Sequence, residues 1–245
     1  MKLLRLETSG REARRSRGEK RIIIVIPAYN EERSIIAVIR GLKQQGFARL
    51  IVVDDGSSDR TSELARQEGA ILLRHILNRG LGGALGTGIS AALRLGAELI
   101  VTFDADGQHD PNDIGRLLEP IENGEADVVI GSRLLDPIGM PYPRRLANWT
   151  ANLVTYLLFR IWTTDSQSGL RAFSRQAAAR MQLLTSGMEV SSEIIAETVK
   201  NRLQWKEVPV QAIYTDYSLS KGQSFTVGMR TLMRLILAKI RRLTL

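Results

Sequence analysis

The sequence contains no cysteine and only two histidines among its 245 residues. Disulfides and thiolate-ligated metal sites are therefore excluded, and a reducing, cytoplasmic setting fits the composition. Long apolar runs are also missing. The uncharged stretch from Leu146 to Phe159 has 14 residues and none is longer, whereas a helix needs about 20 apolar residues to span a bilayer. No apolar stretch follows the basic start, which argues against a signal peptide. We therefore expect one large domain that does not cross a membrane.

Acidic residues are missing from the last twenty positions, and the net charge of +8 is unevenly distributed. Residues 1–21 carry a net charge of +5, residues 226–245 carry another +5, and the remainder is −2. A near-neutral core with basic ends indicates anionic lipid as a partner rather than nucleic acid, although basic ends can also be solvated tails. We predict a flexible basic segment over 1–20 and a folded domain over 21–225.

Residues 226–245 have the spacing of an amphipathic helix with one basic side. At about 100° per residue, Arg230, Arg234 and Arg241 fall on one face, and Leu232 and Ile236 share another. This pattern is typical of a helix that lies on a membrane surface. The same helix could also pack on the core or on the transmembrane helices of a partner.

Short apolar runs alternate with amphipathic stretches through the first half of the chain, which predicts a mostly parallel α/β sheet with helices on both faces. We expect strands at 22–26, 50–53, 70–74, 99–103 and 127–130, with helices near 32–45, 60–68, 83–95 and 111–122. The later chain predicts helices near 146–162 and 191–202 and a strand at 205–212. The helix near 146–162 carries Trp and Tyr residues, so it is either a core helix or a helix at a membrane surface.

Two carboxylates, Asp104 and Asp106, follow directly after the apolar run Leu99–Phe103. Carboxylates one residue apart at a strand end can share a divalent cation, and Gln108 is close enough in sequence to be a further ligand. Mg²⁺ and Mn²⁺ prefer oxygen ligands and usually keep positions open for substrate phosphates. The segment therefore predicts a metal site that holds a diphosphate.

Two other predicted strands end in polar residues. Asp54 and Asp55 follow the run that begins at Leu50, and Asn30 and Glu31 follow the run that begins at Ile22. Ligands of open parallel sheets bind outside the carboxyl ends of the strands, so we expect these groups at one cleft. A later glycine-rich segment, 78–84, lacks the G-x-G-x-x-G spacing and follows the third strand, which excludes a Rossmann dehydrogenase.

The order of these motifs resembles the family-2 inverting glycosyltransferases of GT-A fold, and the resemblance runs from about Ile22 to Val210. It implies a single Rossmann-like sheet and a Mg²⁺ or Mn²⁺ ion held by Asp104, Asp106 and Gln108. It also implies a nucleotide pocket formed by Pro27, Ala28, Tyr29, Glu31, Asp54, Asp55, Gly80, Asp104 and Ala105.

Within that family the chain is most similar to polyprenyl-phosphate glycosyltransferases such as the dolichyl-phosphate mannose synthases. Four segments carry this likeness: 104–111, 131–133, 165–173 and 220–224. The resemblance implies an acceptor phosphate bound by Arg133, Arg144, Arg145, Ser168 and Lys221. A lipid phosphate is already an anionic nucleophile and needs cations more than a base. Asp165 could orient those cations, or act as the base if the acceptor were a hydroxyl.

The resemblance therefore implies transfer of mannose or glucose from GDP-mannose or UDP-glucose to dolichyl or polyprenyl phosphate. The enzyme would work at the cytoplasmic face of a membrane, attached by its terminal helix or by a small membrane-spanning subunit. One alternative keeps the fold but has a sugar or small hydroxyl acceptor. A sugar-phosphate nucleotidyltransferase lacks support, because its glycine-rich basic signature is missing after the first strand. A basic membrane-binding adaptor would not explain three acidic strand ends.

Overall fold

The computed structural model describes residues 21–137, 140 and 142–213, and the predictions for residues 1–20, Lys221 and 226–245 lie outside this part of the chain. The strands are β1 Ile22–Ala28, β2 Leu50–Asp54, β3 Ile71–Arg74, β4 Leu99–Thr102, β5 Val128–Ser132, β6 Arg171–Ser174 and β7 Trp205–Pro209. The α-helices are α1 Ile35–Gln44, α2 Thr61–Gln67, α3 Gly80–Arg94, α4 Ile114–Glu122, α5 Tyr142–Phe159, α6 Arg175–Arg180 and α7 Val190–Lys200. A 3₁₀ turn, Pro111–Asp113, precedes α4.

These strands form one sheet in the order β3-β2-β1-β4-β6-β5-β7. Neighbouring strands are parallel except for β6, which runs antiparallel to both β4 and β5. The predicted mostly parallel α/β sheet is therefore confirmed. The reversal of β6 was not expected from the sequence.

Both faces of the sheet are covered, which explains why its central strands are almost continuously apolar. Ile24 and Ile26 of β1 point into a core shared with α1, α2 and α4. Ile23 and Val25 point into a second core shared with α3, α6 and α7. The alternation follows from the period of two along a strand.

Several predicted boundaries were wrong. Helix α3 begins at Gly80 rather than near Gly83, so the glycines expected to precede the helix lie in its first turn. Helix α5 begins four residues before the predicted Leu146 and ends at Phe159. The predicted strand 205–212 ends at Pro209, beyond which Ala212 makes an isolated antiparallel bridge with His109. Helix α6 was not predicted. None of the described helices is long and apolar enough to cross a bilayer.

Candidate active site

The carboxyl ends of β2, β1, β4 and β5 lie along one edge of the sheet. Because β6 is antiparallel, its first residue, Arg171, lies at this same edge, paired with Thr102 of β4 and Ile130 of β5. The reversed strand therefore brings the segment that precedes it, 165–169, to the acidic strand ends. The topology gathers the segments that were predicted to bind the donor and the acceptor in one place.

Asp104 is held from two sides. Its Oδ2 lies 3.0 Å from Nε2 of the buried His109, whose ring packs edge-on against Phe103. On the other side Gly169 approaches so closely that a Cβ there would overlap the carboxylate. Burial opposes ionisation, but His109 and the charges of Arg133 and Arg171 together hold the pKa of Asp104 below its usual value. Asp104 is therefore a preorganised carboxylate.

Asp106 has a different environment. Its Oδ1 accepts the backbone N–H of Gln108 at 3.0 Å, and its Oδ2 accepts the Gln108 side-chain amide. Burial, followed by the negative charges of Asp104 and Glu31, raises the pKa of Asp106 despite these bonds. Because the charge of Asp104 opposes ionisation of Asp106, a cation bound between the two carboxylates would stabilise their ionised forms.

The donor set fits a hard divalent cation shared with a substrate. Asp104 and Asp106 supply carboxylate oxygens, and the amide of Gln108 is beside them. Among the described residues no group of three His, Cys, Asp or Glu side chains could hold a metal ion by itself. Mg²⁺ and Mn²⁺ are commonly bound in this way, by one or two carboxylates together with substrate phosphates.

Arg133 and Asp165 form a forked ion pair. Nε and one terminal nitrogen of Arg133 donate to the two oxygens of Asp165 at 2.7 and 2.9 Å, and the Arg133 backbone N–H adds a third bond. Asp165 is completely buried. Both of its oxygens are used to orient a guanidinium, so the geometry favours the orienting role over that of a base. This geometry also limits how far the Arg133 side chain can rotate.

Arg171 is a buried cation behind the site that we did not single out from the sequence. One terminal nitrogen donates to the carbonyl oxygens of Ser166 and Ser191 at 2.9 and 3.1 Å. Its Nε has no partner among the described residues. Burial lowers the pKa of Arg171 to about 10, against the favourable charges of Asp165 and Asp104. The side chain joins the acceptor-side segment to the start of α7 and balances two carboxylates.

Asp54 and Asp55, predicted to contact base or ribose, are both engaged by the protein. Asp54 accepts from Ser57 N at 2.8 Å and from the Ser62 hydroxyl. Asp55 accepts from the backbone of Arg79 and Gly80 at 2.9 and 2.7 Å, and lies 2.6 Å from Nδ1 of His75. The contacts of Asp54 hold the turn into α2, and those of Asp55 hold the loop that opens α3. Nucleotide contacts by either carboxylate stay a prediction.

The remaining predicted nucleotide residues lie around the ends of β1 and β4. Tyr29 is half exposed, whereas Pro27, Ala28 and Ala105 are buried, so the last three could offer a ligand mainly their backbone. Glu31 accepts from the Ser34 hydroxyl at 2.9 Å. Its negative charge contributes to the raised pKa of Asp106.

The predicted acceptor residues do not all lie together in the described part of the chain. Ser168 is fully buried and its hydroxyl oxygen accepts the N–H of Leu170. Arg145 is exposed on α5, and Arg144 belongs to the same helix, with its side chain outside the described part. Of this group, Arg133 has a charge that acts on Asp104, and Ser168 precedes the glycine that lies against that carboxylate.

A row of glutamates on α7 fixes the segment 181–187. Glu193 accepts the backbone N–H groups of Leu184 and Thr185, and Glu197 accepts that of Gln182. The segment in turn packs on α3, where Gly82 N donates to Ser186 O at 2.9 Å. A cavity of about 680 Å³ lies between them.

Glu189, at the start of α7, has one buried oxygen without a partner among the described residues. Its other oxygen accepts from Gly187 N at 3.2 Å. A buried carboxylate oxygen with unused capacity is suited to accept a ligand hydroxyl. The available sequence signal for Arg171 was an isolated arginine in an apolar strand, which requires buried partners.

Comparisons with known proteins agree with this geometry. Residues 23–181 match the model of the family described as glycosyl transferase family 2. The UDP-N-acetylglucosamine–dolichyl-phosphate N-acetylglucosaminyltransferase of Methanococcus voltae is 38% identical, and the alignment covers 91% of this chain and 97% of that protein. The polyprenol monophosphomannose synthase of Mycolicibacterium smegmatis is 30% identical, over 89% and 86% of the two chains.

Solved structures share the fold. Glucosyl-3-phosphoglycerate synthase from Mycobacterium tuberculosis, with phosphoglyceric acid bound, superposes with a TM-score of 0.71 at 22% identity. The match covers 90% of this chain and 80% of that one. A second structure of that synthase contains Mn²⁺, UDP and glucosyl-3-phosphoglycerate.

Proposed function

The chain belongs to glycosyl transferase family 2, and on that premise we propose that it is an inverting, metal-dependent enzyme that transfers a sugar from a nucleotide sugar to a polyprenyl phosphate. The observation that carries the proposal is that the segment 165–169, whose Asp165 pairs with Arg133, reaches the Asp104 carboxylate through Gly169. A diphosphate held at Asp104 and a monophosphate held at Arg133 could thus lie next to each other.

The proposed reaction does not need a strong general base. An oxygen of the acceptor phosphate forms a bond to the anomeric carbon, and the bond from that carbon to the diphosphate breaks. The electron pair of the broken bond leaves with the nucleoside diphosphate. The attacking phosphate carries about −1.5 to −2 charges near pH 7, so no proton has to be removed first. Arg133 brings this anion towards a second anionic substrate.

Asp104, Asp106 and Gln108 would hold the divalent metal. When bound, Mg²⁺ or Mn²⁺ supplies charge neutralisation for the departing diphosphate. Asp104 is fixed for this task by His109 and by the close approach of Gly169. Glu189 is suited to accept a hydroxyl of the sugar through its unpartnered oxygen.

The relatives support a lipid phosphate acceptor, because the names of two of them contain dolichyl phosphate and polyprenol monophosphomannose. Mannose and glucose were the sugars expected from the sequence. The relative from Methanococcus voltae adds N-acetylglucosamine to the candidates, with UDP as the nucleotide. A lipid acceptor would place the enzyme peripherally at the cytoplasmic face of a membrane.

The test is donor turnover. The protein is incubated with Mn²⁺ or Mg²⁺ and UDP-N-acetylglucosamine, UDP-glucose or GDP-mannose, with and without a short polyprenyl phosphate. We expect lipid-dependent release of nucleoside diphosphate that disappears in Asp106→Ala. Glu122→Ala, which removes an exposed carboxylate at the end of α4, should leave turnover unchanged. Release that requires a soluble hydroxyl acceptor and ignores the lipid would refute the assignment.

A further inference from the structure

Glu207 is a carboxylate that belongs to none of the sequence motifs and has no part in the chemistry described above. It lies in β7, opposite Ile130 of β5, and its side chain is partly buried. Its Oε1 accepts the Thr163 hydroxyl at 2.7 Å, and the N–H and the hydroxyl of Thr164 each at 2.9 Å. The Asp165 N–H donates to the same oxygen at 3.4 Å. One side chain of an edge strand therefore binds three consecutive residues of another segment.

The segment 163–165 needs such acceptors because it is buried without being part of a helix or a strand. Its first and last residues are completely buried, and a buried backbone N–H without a partner is costly. Asn152 of α5 adds two bonds: its amide nitrogen donates to Thr164 O at 2.5 Å, and its amide oxygen accepts the N–H of Ser166 at 2.8 Å. The peptide groups on both sides of Asp165 are thus fixed by side chains.

A pair of hydroxyls joins this segment to the strand that leads to Arg133. Thr164 Oγ1 lies 2.7 Å from Oγ of Ser132, the last residue of β5. The next residue, Arg133, donates to Asp165 from its backbone and from its guanidinium. Glu207 therefore holds the segment whose carboxylate orients the guanidinium.

The strand that carries Glu207 is a firm support although it lies at the edge of the sheet. It pairs with β5 along its whole length, Trp205–Pro209. Beyond its end, Val210 N donates to Ser132 O at 3.1 Å, and Gln211 N donates to Asp113 Oδ2 at 2.8 Å. The side chain in the middle of this strand therefore projects from a restrained backbone.

We propose that Glu207 is a positioning residue for the acceptor: it fixes Asp165, and through Asp165 it holds the Arg133 guanidinium where a phosphate can bind. A carboxylate suits this task, because N–H and O–H donors bind a charged acceptor more strongly than a neutral one. The proposal rests on the proposed function, since it depends on Arg133 as the residue that binds the acceptor phosphate. It extends the acceptor site from an ion pair to a chain of three residues.

The first test is steady-state kinetics with a short polyprenyl phosphate in detergent. Glu207→Leu removes both carboxylate oxygens and keeps a side chain of similar size. At metal sites, loss of an outer partner that orients a ligand weakens binding by about 10- to 100-fold, and we expect KM for the lipid to rise about tenfold. Affinity for nucleoside diphosphate with Mn²⁺, measured by calorimetry, should not change, which also shows that the variant is folded. An unchanged KM, or an equal loss of donor affinity, would overturn the proposal.

Two further variants separate the bonds of Glu207 from a general disturbance of β7. Glu207→Gln keeps one acceptor oxygen and should recover part of the loss. Glu125→Leu is the matched control, because the exposed Glu125 pairs at 2.6 Å with Lys206, the neighbour of Glu207 in β7. This control leaves the contacts of the segment 163–165 in place, so KM for the lipid should not change. Equal rises of KM in Glu125→Leu and Glu207→Leu would overturn the proposal.

A double-mutant cycle tests whether Glu207 acts through Arg133. If it does, Arg133→Lys/Glu207→Leu should have the same kcat/KM for the lipid as Arg133→Lys alone, to within about twofold. The reason is that a lysine has no fork for Asp165 to orient. Losses that multiply would show that Glu207 contributes independently of Arg133 and would overturn the proposal.

A last measurement needs no acceptor and separates the two proposals. The Arg133 Nε–H, which donates to Asp165 at 2.7 Å, can be observed by nitrogen-15 NMR and is identified by its loss in Arg133→Lys. Its hydrogen exchange should accelerate about tenfold in Glu207→Leu and not in Glu125→Leu. Unchanged exchange would overturn the positioning role and leave the enzymatic assignment intact. Absence of turnover in the unmodified chain would refute the proposed function, and exchange of this N–H would still decide whether Glu207 positions Arg133.

Discussion

Gly169 lies against Asp104 so closely that a Cβ at position 169 would overlap both carboxylate oxygens. The glycine thus forms one wall of the proposed metal site, and His109 also contacts the same carboxylate. The Thr102 hydroxyl donates to the Gly169 carbonyl at 2.7 Å and fixes this wall to β4. This hydrogen bond restrains the backbone at position 169 and limits how far it could move to accommodate an added methyl group.

We expect Gly169→Ala to push the Asp104 carboxylate out of position and to weaken Mn²⁺ binding in the presence of nucleoside diphosphate. Because metal sites depend on ligand placement, we expect a loss of about 10- to 100-fold in affinity, measured by electron paramagnetic resonance. Gly115→Ala is the matched control, since a Cβ there meets nothing within 4 Å. Equal Mn²⁺ affinity of the two variants would show that Gly169 does not shape the site.

Arg133→Lys tests whether the forked geometry of Arg133 matters beyond its charge. Lysine keeps the charge but cannot make two parallel bonds to Asp165 or to a phosphate. Loss of a charge-assisted bond costs about 1.5 to 3 kcal/mol, so kcat/KM for the lipid acceptor should fall about 10- to 100-fold. Binding of nucleoside diphosphate with Mn²⁺, measured by calorimetry, should change little.

The control for that substitution is Arg116→Lys. Arg116 also pairs with an aspartate, Asp113, at 3.0 Å, but its side chain is exposed on α4. Lysine can keep the charge of this half-exposed pair, and the pair has no contact with the proposed acceptor site in the described residues, so acceptor kinetics should be unaffected. If Arg133→Lys also left the acceptor kinetics unchanged, the phosphate-binding role of Arg133 would be ruled out.

Much of the fold followed from local sequence patterns. The runs that end at Asp54 and before Asp104 are apolar on both faces, as buried parallel strands must be, and both were predicted within a residue or two. The same apolar runs also predicted the edge of the sheet at which the acidic groups lie. The family and its fold, inferred from the motifs, are confirmed by the comparisons.

The sequence did not predict features that depend on distant contacts. The four residues of β6 carry no sign of strand direction, so its reversal, and with it the position of Arg171, was missed. Gly80 and Gly82 lower intrinsic helix propensity and were expected to precede α3. They lie in its first turn, where the carbonyls of Thr185 and Ser186 leave no room for a side chain and glycine is therefore required. Tertiary packing outweighs propensity at both places.

Arg171→Met tests the buried cation behind the site. The substitution leaves two carbonyls without their donor and removes positive charge near Asp165 and Asp104. Breaking a buried charge network by removing one partner costs about 3 to 5 kcal/mol, to be measured by urea unfolding. Arg171→Lys retains the charge and should recover part of that loss. A stability equal to that of the unmodified protein would mean that the site does not need this cation.

Glu193→Gln tests whether the glutamate row on α7 holds the segment 181–187 in place. Glu193 accepts three bonds, from the N–H groups of Leu184 and Thr185 and from the Thr185 hydroxyl. A glutamine amide nitrogen cannot accept, so at least one partly buried donor loses its partner, at a cost of about 1 kcal/mol. Amide hydrogen exchange should then accelerate at residues 184 and 185 before it does in the sheet. Glu119→Gln, on the exposed side of α4, should leave exchange at both positions unchanged.

Because the segment packs on the first turn of α3 through Ser186 and Gly82, exchange in Glu193→Gln should also rise at the start of that helix. Acceleration confined to residues 184 and 185 would show that the glutamate row fixes the segment without supporting the glycine-rich turn.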